Sequence, residues 1–223
     1  MNAPAGSTVN VAVIVATFGD DPVWQTYAAD AVAAAHHQTV RPAHVVHHHA
    51  DTLHEARNAG AASTDASWLV FCDADDLLER DYIAHMAAVV ADDPTRPRLV
   101  QPSIRHFTAP PGTPRDLLEL DDPWLIPPRR PNDPTLWGGN HLVIGTMVHH
   151  GTFDEVGGFL DWPAWEDWCL FLRCWLAGAE VCAAPDAHYL IRERPESRNE
   201  TGPDRQLGMR ILDNARRWQH RRR

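Results

Sequence analysis

The residues best equipped for chemistry sit together at Trp68–Asp76, WLVFCDADD, where an apolar run stops abruptly at Asp73, Asp75 and Asp76 around a single alanine. In an extended chain alternate side chains share a face, so Asp73 and Asp75 point one way and Ala74 the other. Two carboxylates on one side can hold a hard divalent cation, Mn²⁺ or Mg²⁺, that keeps open positions for phosphate oxygens. Such an ion would neutralise a diphosphate. The plainer use of the same tetrapeptide is a solvated loop after a core strand, so its neighbours must decide.

A second acid pair, Glu166-Asp167, precedes Trp168, Cys169, Leu172, Trp175 and Leu176, which recur at helical spacing in a segment that Pro163 opens and Gly178 ends. First-turn acids ordinarily complement the helix dipole. The same position favours the ionised carboxylate, the form that accepts a proton.

Composition narrows the chemistry further. The chain contains no lysine, so all 20 of its basic residues are arginine. Arginine does not deprotonate at working pH, which removes Schiff-base catalysis and phosphate-binding lysines. A phosphohydrolase with a nucleophilic first aspartate needs a later lysine and a small hydroxyl residue where Leu77 stands, and both are missing. The formal charge of −10 argues against a surface that coats nucleic acid. Cys72, Cys169, Cys174 and Cys182 form no C-x-x-C pair and read as core residues of a reducing compartment. No basic leader or run of ~18 apolar residues is present, so a cytoplasmic protein without a transmembrane segment is expected. Three consecutive histidines, His47 to His49, make a poor metal cage, because neighbours in a strand face opposite ways.

The elements that must position these acids alternate. Val9–Ala16 reads as a buried strand, a helix begins near Pro22, Val45 and Val46 start a second strand, and Thr52–Ala62 reads as a helix. The Trp68–Cys72 strand and a Leu78–Val90 helix follow, then a Leu99–Ile104 strand. This order predicts an α/β fold with a mostly parallel central sheet, whose ligands sit beyond the carboxyl ends of the strands. Residues 109–135 hold eight of the eighteen prolines and read as a long shaping loop. Thr152 to Glu155 has capping-box spacing, with Gly157-Gly158 ending a short turn of helix. Residues Asp204–Arg223 carry seven arginines around Leu207, Ile211, Leu212, Ala215 and Trp218, an amphipathic helix that could dock on this domain, on a second copy as a homodimer, or on an anionic acceptor.

Taken in order, VAVIVATFGDD, HQTVRPAHVV, ARNAG, FCDADD, VGGFLDWPAWEDWCLFLRCW and APDAHYLIR resemble the family-2 glycosyltransferases, nucleotide-sugar enzymes of GT-A fold, over roughly residues 9–198. The resemblance implies a GT-A domain at 1–200, with a nucleotide-binding half at 9–104 and an acceptor-side half at 105–200, followed by a basic helix at 201–223. It implies a nucleotide diphosphate sugar as donor, most of all a UDP-sugar, with Thr17 and Phe18 along the base, Asp51 as a base contact and Arg57 near the nucleotide. Many relatives have paired acids where this chain has His47 to Ala50, so the choice of base stays open. Asp73 and Asp75 match the family's Asp-x-Asp, and His188 matches a further metal ligand of some members. Arg192, Arg194 and Arg198 match a mobile loop whose guanidinium groups clamp phosphate. Asp167 matches the base of inverting members, with Glu166 orienting the loop or acceptor, while Trp137, Trp162 and Trp165 could platform sugar rings. The acceptor, whether glycan, lipid-linked, protein or nucleic acid, stays open. A catalytically silent GT-A domain that binds a nucleotide sugar is the alternative reading.

Overall fold

The computed structural model describes residues 9–124, 135–194 and 205–222. In chain order its first half contains β1 (Val11–Phe18), α1 (Val23–His36), β2 (His44–Ala50), α2 (Leu53–Ala62), β3 (Trp68–Asp73), β4 (Leu77–Leu78), α3 (Tyr82–Val90) and β5 (Arg98–Phe107). The second contains α4 (Thr135–Gly138), β6 (Met147–His149), α5 (His150–Val156), α6 (Glu166–Leu176), β7 (Glu180–Arg192) and α7 (Arg205–Arg222).

The β-branched and aromatic runs form the middle of one sheet of order β2-β1-β3-β6-β5-β7-β4. Strands β2, β1 and β3 are parallel, as buried continuous apolar runs favour. Strand β6 runs antiparallel to both β3 and β5, and β5 pairs in parallel with β7. The carboxyl ends of β1, β2 and β3 therefore open on one edge, and the acids fall there.

Three local expectations change. Leu77-Leu78 does not begin a helix but pairs with Leu190 and Tyr189 of β7, so α3 starts only at Tyr82. Thr152 lies inside α5 rather than capping it; His149 is the cap residue. Helix α6 starts at Glu166 instead of Pro163, because Trp165 adopts a left-handed conformation (φ 57°, ψ 28°) that cannot continue a helix backwards. Gly157, at φ 80°, does end α5 as read. Among the described residues no helix is long and apolar enough to cross a membrane.

Helix α7 lays Leu207, Ile211 and Ala215 into the main core, which it shares with Leu172 and Cys169 of α6. Its apolar face is thus covered by this same chain. On the opposite side of the sheet edge, α2 approaches β1 so closely that a Cβ on Gly60 would stand 2.5 Å from Cγ2 of Ile14. Gly60→Val should therefore cost about 1–3 kcal/mol, as overpacking of a dense core does, read as a lower denaturation midpoint at unchanged m-value.

Candidate functional site

Arg57 is the centre of the site. It projects from α2, is 2% exposed, and donates from Nη2 to Oδ1 of Asp73 at 2.6 Å and from Nη1 to Oε1 of Glu166 at 2.7 Å. Its guanidinium also lies over the Phe159 ring, 4.8 Å from the centroid. Burial pulls Arg57 towards its neutral form, but the charges and hydrogen bonds of Asp73 and Glu166 outweigh that and hold it more firmly protonated than a free arginine. Asn58 completes the clamp: its Nδ2 donates to the Phe159 carbonyl and its Oδ1 accepts from the Phe159 amide, both at 2.9 Å. The ARNAG and VGGF segments are therefore one device, fastening α2 to the turn that precedes α6.

Each of the three clustered aspartates is tied to a different element. Asp73 ends β3, bonds Arg57, and its amide donates to the Tyr189 hydroxyl at 3.0 Å. Asp75 lies in a turn, closed by the Asp76 amide on the Asp73 carbonyl, so strand alternation does not set its direction. Its carboxylate meets Arg194, with Nη2 at 2.7 Å. Burial first, then the Asp73 charge, raises the Asp75 pKa, and Arg194 opposes the rise. Asp76, which sequence reasoning passed over, is buried, accepts from the Arg192 amide at 2.9 Å, and is pushed well up by burial and by its two neighbours.

The acid pair of α6 divides its work. Glu166 is buried on Arg57, whereas Asp167 is partly exposed. Oδ1 of Asp167 accepts from the Trp168 amide at 2.7 Å, and Oδ2 accepts from Nδ2 of Asn140 at 2.8 Å. Asn140 is itself oriented, because its Oδ1 accepts from the Leu142 amide. The expectation that a first-turn position keeps Asp167 readily ionised is reversed: burial, followed by the Glu166 charge, raises its pKa to about 7. Trp165, immediately before the pair, is the one non-glycine residue with positive φ among those described. Such a conformation costs on the order of 1–3 kcal/mol and fixes how Glu166 and Asp167 enter the helix.

The remaining candidates are spread along the same edge. Thr17 is buried, its hydroxyl 3.0 Å from both Nε2 of His47 and Nδ1 of His49; Phe18 is half-buried beside it and Asp51 is exposed in the bend after β2. His188 bonds Glu79 and so is not brought to the aspartates; among the described residues no three His, Cys, Asp or Glu side chains converge as a metal cage. Arg192 ends β7 rather than riding on a loop. It is 4% exposed, donates to the Asp75 carbonyl at 2.8 Å, and lies over Phe107 and Tyr27. Arg194 rests on Trp24, 4.7 Å from the ring centre, and Arg198 lies outside the described residues. Sequence reasoning missed Asn140 and Asn58, and it gave Asp76 no role of its own. The signal for Asn58 was its place beside Arg57; Asn140 follows two glycines, which mark a turn but not its partner.

The family described as glycosyl transferase family 2 matches residues 20–148. Among solved structures, S. aureus TarS 1–349 in complex with UDP-GlcNAc aligns with a TM-score of 0.66 at 12% identity, covering 92% of this chain and 66% of that one. The same TarS fragment with UDP gives 0.63 at 14% identity, covering 92% and 65%. A further S. aureus TarS structure gives 0.61 at 12% identity, covering 91% and 39%. The chain thus spans slightly less than two thirds of the TarS fragment, and at this identity the likeness concerns the fold. No curated protein matches it.

Two consequences of the geometry can be measured. Arg57→Ala leaves the buried Glu166 and the half-buried Asp73 without their cation and should cost about 3 kcal/mol in urea unfolding, against about 0.5 kcal/mol or less for Arg217→Ala on the exposed face of α7. Asp167 has a raised folded pKa, so the folded state binds more protons than the unfolded one between the usual carboxylate range and about 7. Its ionisation therefore weakens the fold as pH rises across that window. Asp167→Asn should raise the melting temperature more at pH 8 than at pH 5.

Proposed function

The chain belongs to glycosyl transferase family 2 and carries the GT-A glycosyltransferase fold, and from there we propose that it moves a sugar from a nucleotide diphosphate donor, a UDP-sugar most of all, to an acceptor hydroxyl with inversion. The observation that carries this reading is Asp167: a carboxylate partly open to the cleft, held by Asn140 and titrating at about 7. A base of that pKa suits proton removal near neutral pH, typically worth 10²- to 10⁴-fold in rate.

In this reading the donor nucleotide lies across the carboxyl ends of β1, β2 and β3, with its base along Thr17 and Phe18. Asp51, His47 and His49 stand where the base edge would be read. Asp73 and Asp75 fit Mn²⁺ or Mg²⁺ by donor chemistry: both are hard oxygen ligands, and an added cation would offset the burial and, after it, the Asp73 charge that raise the Asp75 pKa. Bound there, the ion would offset charge growing on the departing diphosphate. Arg194, now on Asp75, is placed to follow the phosphates instead. Glu166, held by Arg57, fixes the turn from which Asp167 reaches the acceptor hydroxyl and takes its proton. Arg57, whose guanidinium bonds Asp73 and Glu166, acts in this reading as a positioning residue for that pair and for Asp73 beside the nucleotide. Free thiols at all four cysteines fit a reducing compartment, and we assign the activity to the cytoplasm.

UDP-sugar turnover with water as acceptor provides the test. kcat/KM should rise with pH up to about 7 and level off above it, because the base must be ionised. Asp167→Asn should abolish that limb and at least 99% of turnover while UDP affinity stays within about twofold. In Asp75→Ala, added Mn²⁺ should no longer stimulate the reaction. Full turnover in Asp167→Asn would move the base elsewhere.

A further inference from the structure

A cavity of about 390 Å³ opens beside Asp167, between α6 and α7, with Trp137, Asn140, Trp165, Trp168, Arg205 and Leu212 in its walls. That size lies within the range of small-molecule sites. Asn140, which holds Oδ2 of Asp167, is itself part of the lining, so a ligand seated here meets the residue that orients the base. Trp165 and Trp168 meet edge to face at 5.9 Å, and Trp168 Nε1 donates to the Leu136 carbonyl at 2.8 Å. The indoles are thus held rigidly and offer preformed apolar surface. A sugar ring, with one face made of C–H groups and hydroxyls at its rim, matches such walls with a few polar groups among them.

The α7 wall adds a single charge, Arg205, beside Gly208, Met209 and Leu212. Helix α7 carries six arginines against one acid, in a chain whose formal charge is −10. Arg205 lines the cavity, and Arg216 and Arg210 lie over Trp137 and Trp162 at 5.4 and 5.3 Å. Glycine is disfavoured inside helices, yet Gly208 faces the cavity: a Cβ there would already touch Trp165 and Trp168 at 3.6 Å, and any longer side chain would stand in the open space.

We propose that this cavity is the acceptor subsite and that it takes a sugar ring bearing an anionic substituent, the ring against the indoles and the charge on Arg205. The proposal rests on the glycosyl-transfer reading above and names its acceptor class. Uronate and sugar phosphate share the required chemistry.

The test uses the whole chain labelled with 5-fluorotryptophan, saturated with UDP so that the donor side is filled, and titrated with glucose, glucuronic acid and glucose 6-phosphate. The ¹⁹F signals of Trp137, Trp165 and Trp168 should shift, with dissociation constants at least fivefold lower for the two anions than for glucose. Arg205→Gln should bring all three probes within twofold of one another, whereas Arg217→Gln, which removes the same charge from the exposed face, should keep the preference. Gly208→Leu should abolish the shifts while its ¹⁹F dispersion shows a folded protein; if it unfolds, Arg205→Gln and the wild-type comparison decide alone. Equal affinity for glucose and the anions, a preference that survives Arg205→Gln, or shifts confined to Trp24 would overturn the assignment. UDP affinity and donor hydrolysis, measured on the same samples, separate the two failures. Silent pocket signals with intact donor turnover reject only the acceptor class, and absent donor binding rejects the transfer reading itself.

Discussion

One buried cation organises this protein's acids. Arg57 joins the tip of β3, through Asp73, to the first turn of α6, through Glu166, and those residues are 93 positions apart in the chain. A buried ion pair of this kind is a poor source of net stability, since desolvation consumes much of the attraction. What it supplies is geometry. With both carboxylates answered by one planar fork, the distance between the tip of β3 and the first turn of α6 is set by a rigid group instead of by loop packing.

The absence of lysine gains a physical meaning in this setting. A lysine at position 57 would have a single head group to share between two carboxylates and could lose its proton on burial. Arginine avoids both problems. Arg192 and Arg194 repeat the pattern at the end of β7, one bonding the Asp75 carbonyl and the other its carboxylate, each stacked on aromatic rings of α1. The three aspartates at the end of β3 therefore connect α2, the end of β7 and the segment beyond it, and the cluster is a structural junction.

Much of the sheet was legible because its central strands are long apolar runs with turn residues at both ends. Val11–Phe18 and Trp68–Asp73 differ from their sequence reading by no more than two residues at either end. The later strands were not. Met147–His149 is too short to show a period, and Glu180–Arg192 is broken by Pro185 where its register against β5 slips between Pro102 and Ser103. The site was half visible. Acids announce themselves by type and spacing, but their partners are chosen by tertiary approach: nothing local to Asn140 points to Asp167, and nothing local to Arg57 points to Glu166. The pKa of Asp167 fails for the same reason. First-turn placement favours ionisation, and only the folded surroundings, partial burial beside another carboxylate, reveal that the opposite effect wins.

That reversal links strain to chemistry. Trp165 could relax into the helical region and extend α6 backwards, and the gain would be on the order of 1–3 kcal/mol. Doing so would swing its indole off Trp168 and rotate Asp167 away from Asn140. Packing of the two rings and the Asn140 bond oppose the relaxation. The basic helix is more than an appendage: its Leu207, Ile211 and Ala215 belong to the same core as Trp168 and Cys169 of α6, the helix that carries Asp167. A backbone free of that strain would give up both contacts and leave Asp167 with the ordinary pKa of a solvated carboxylate.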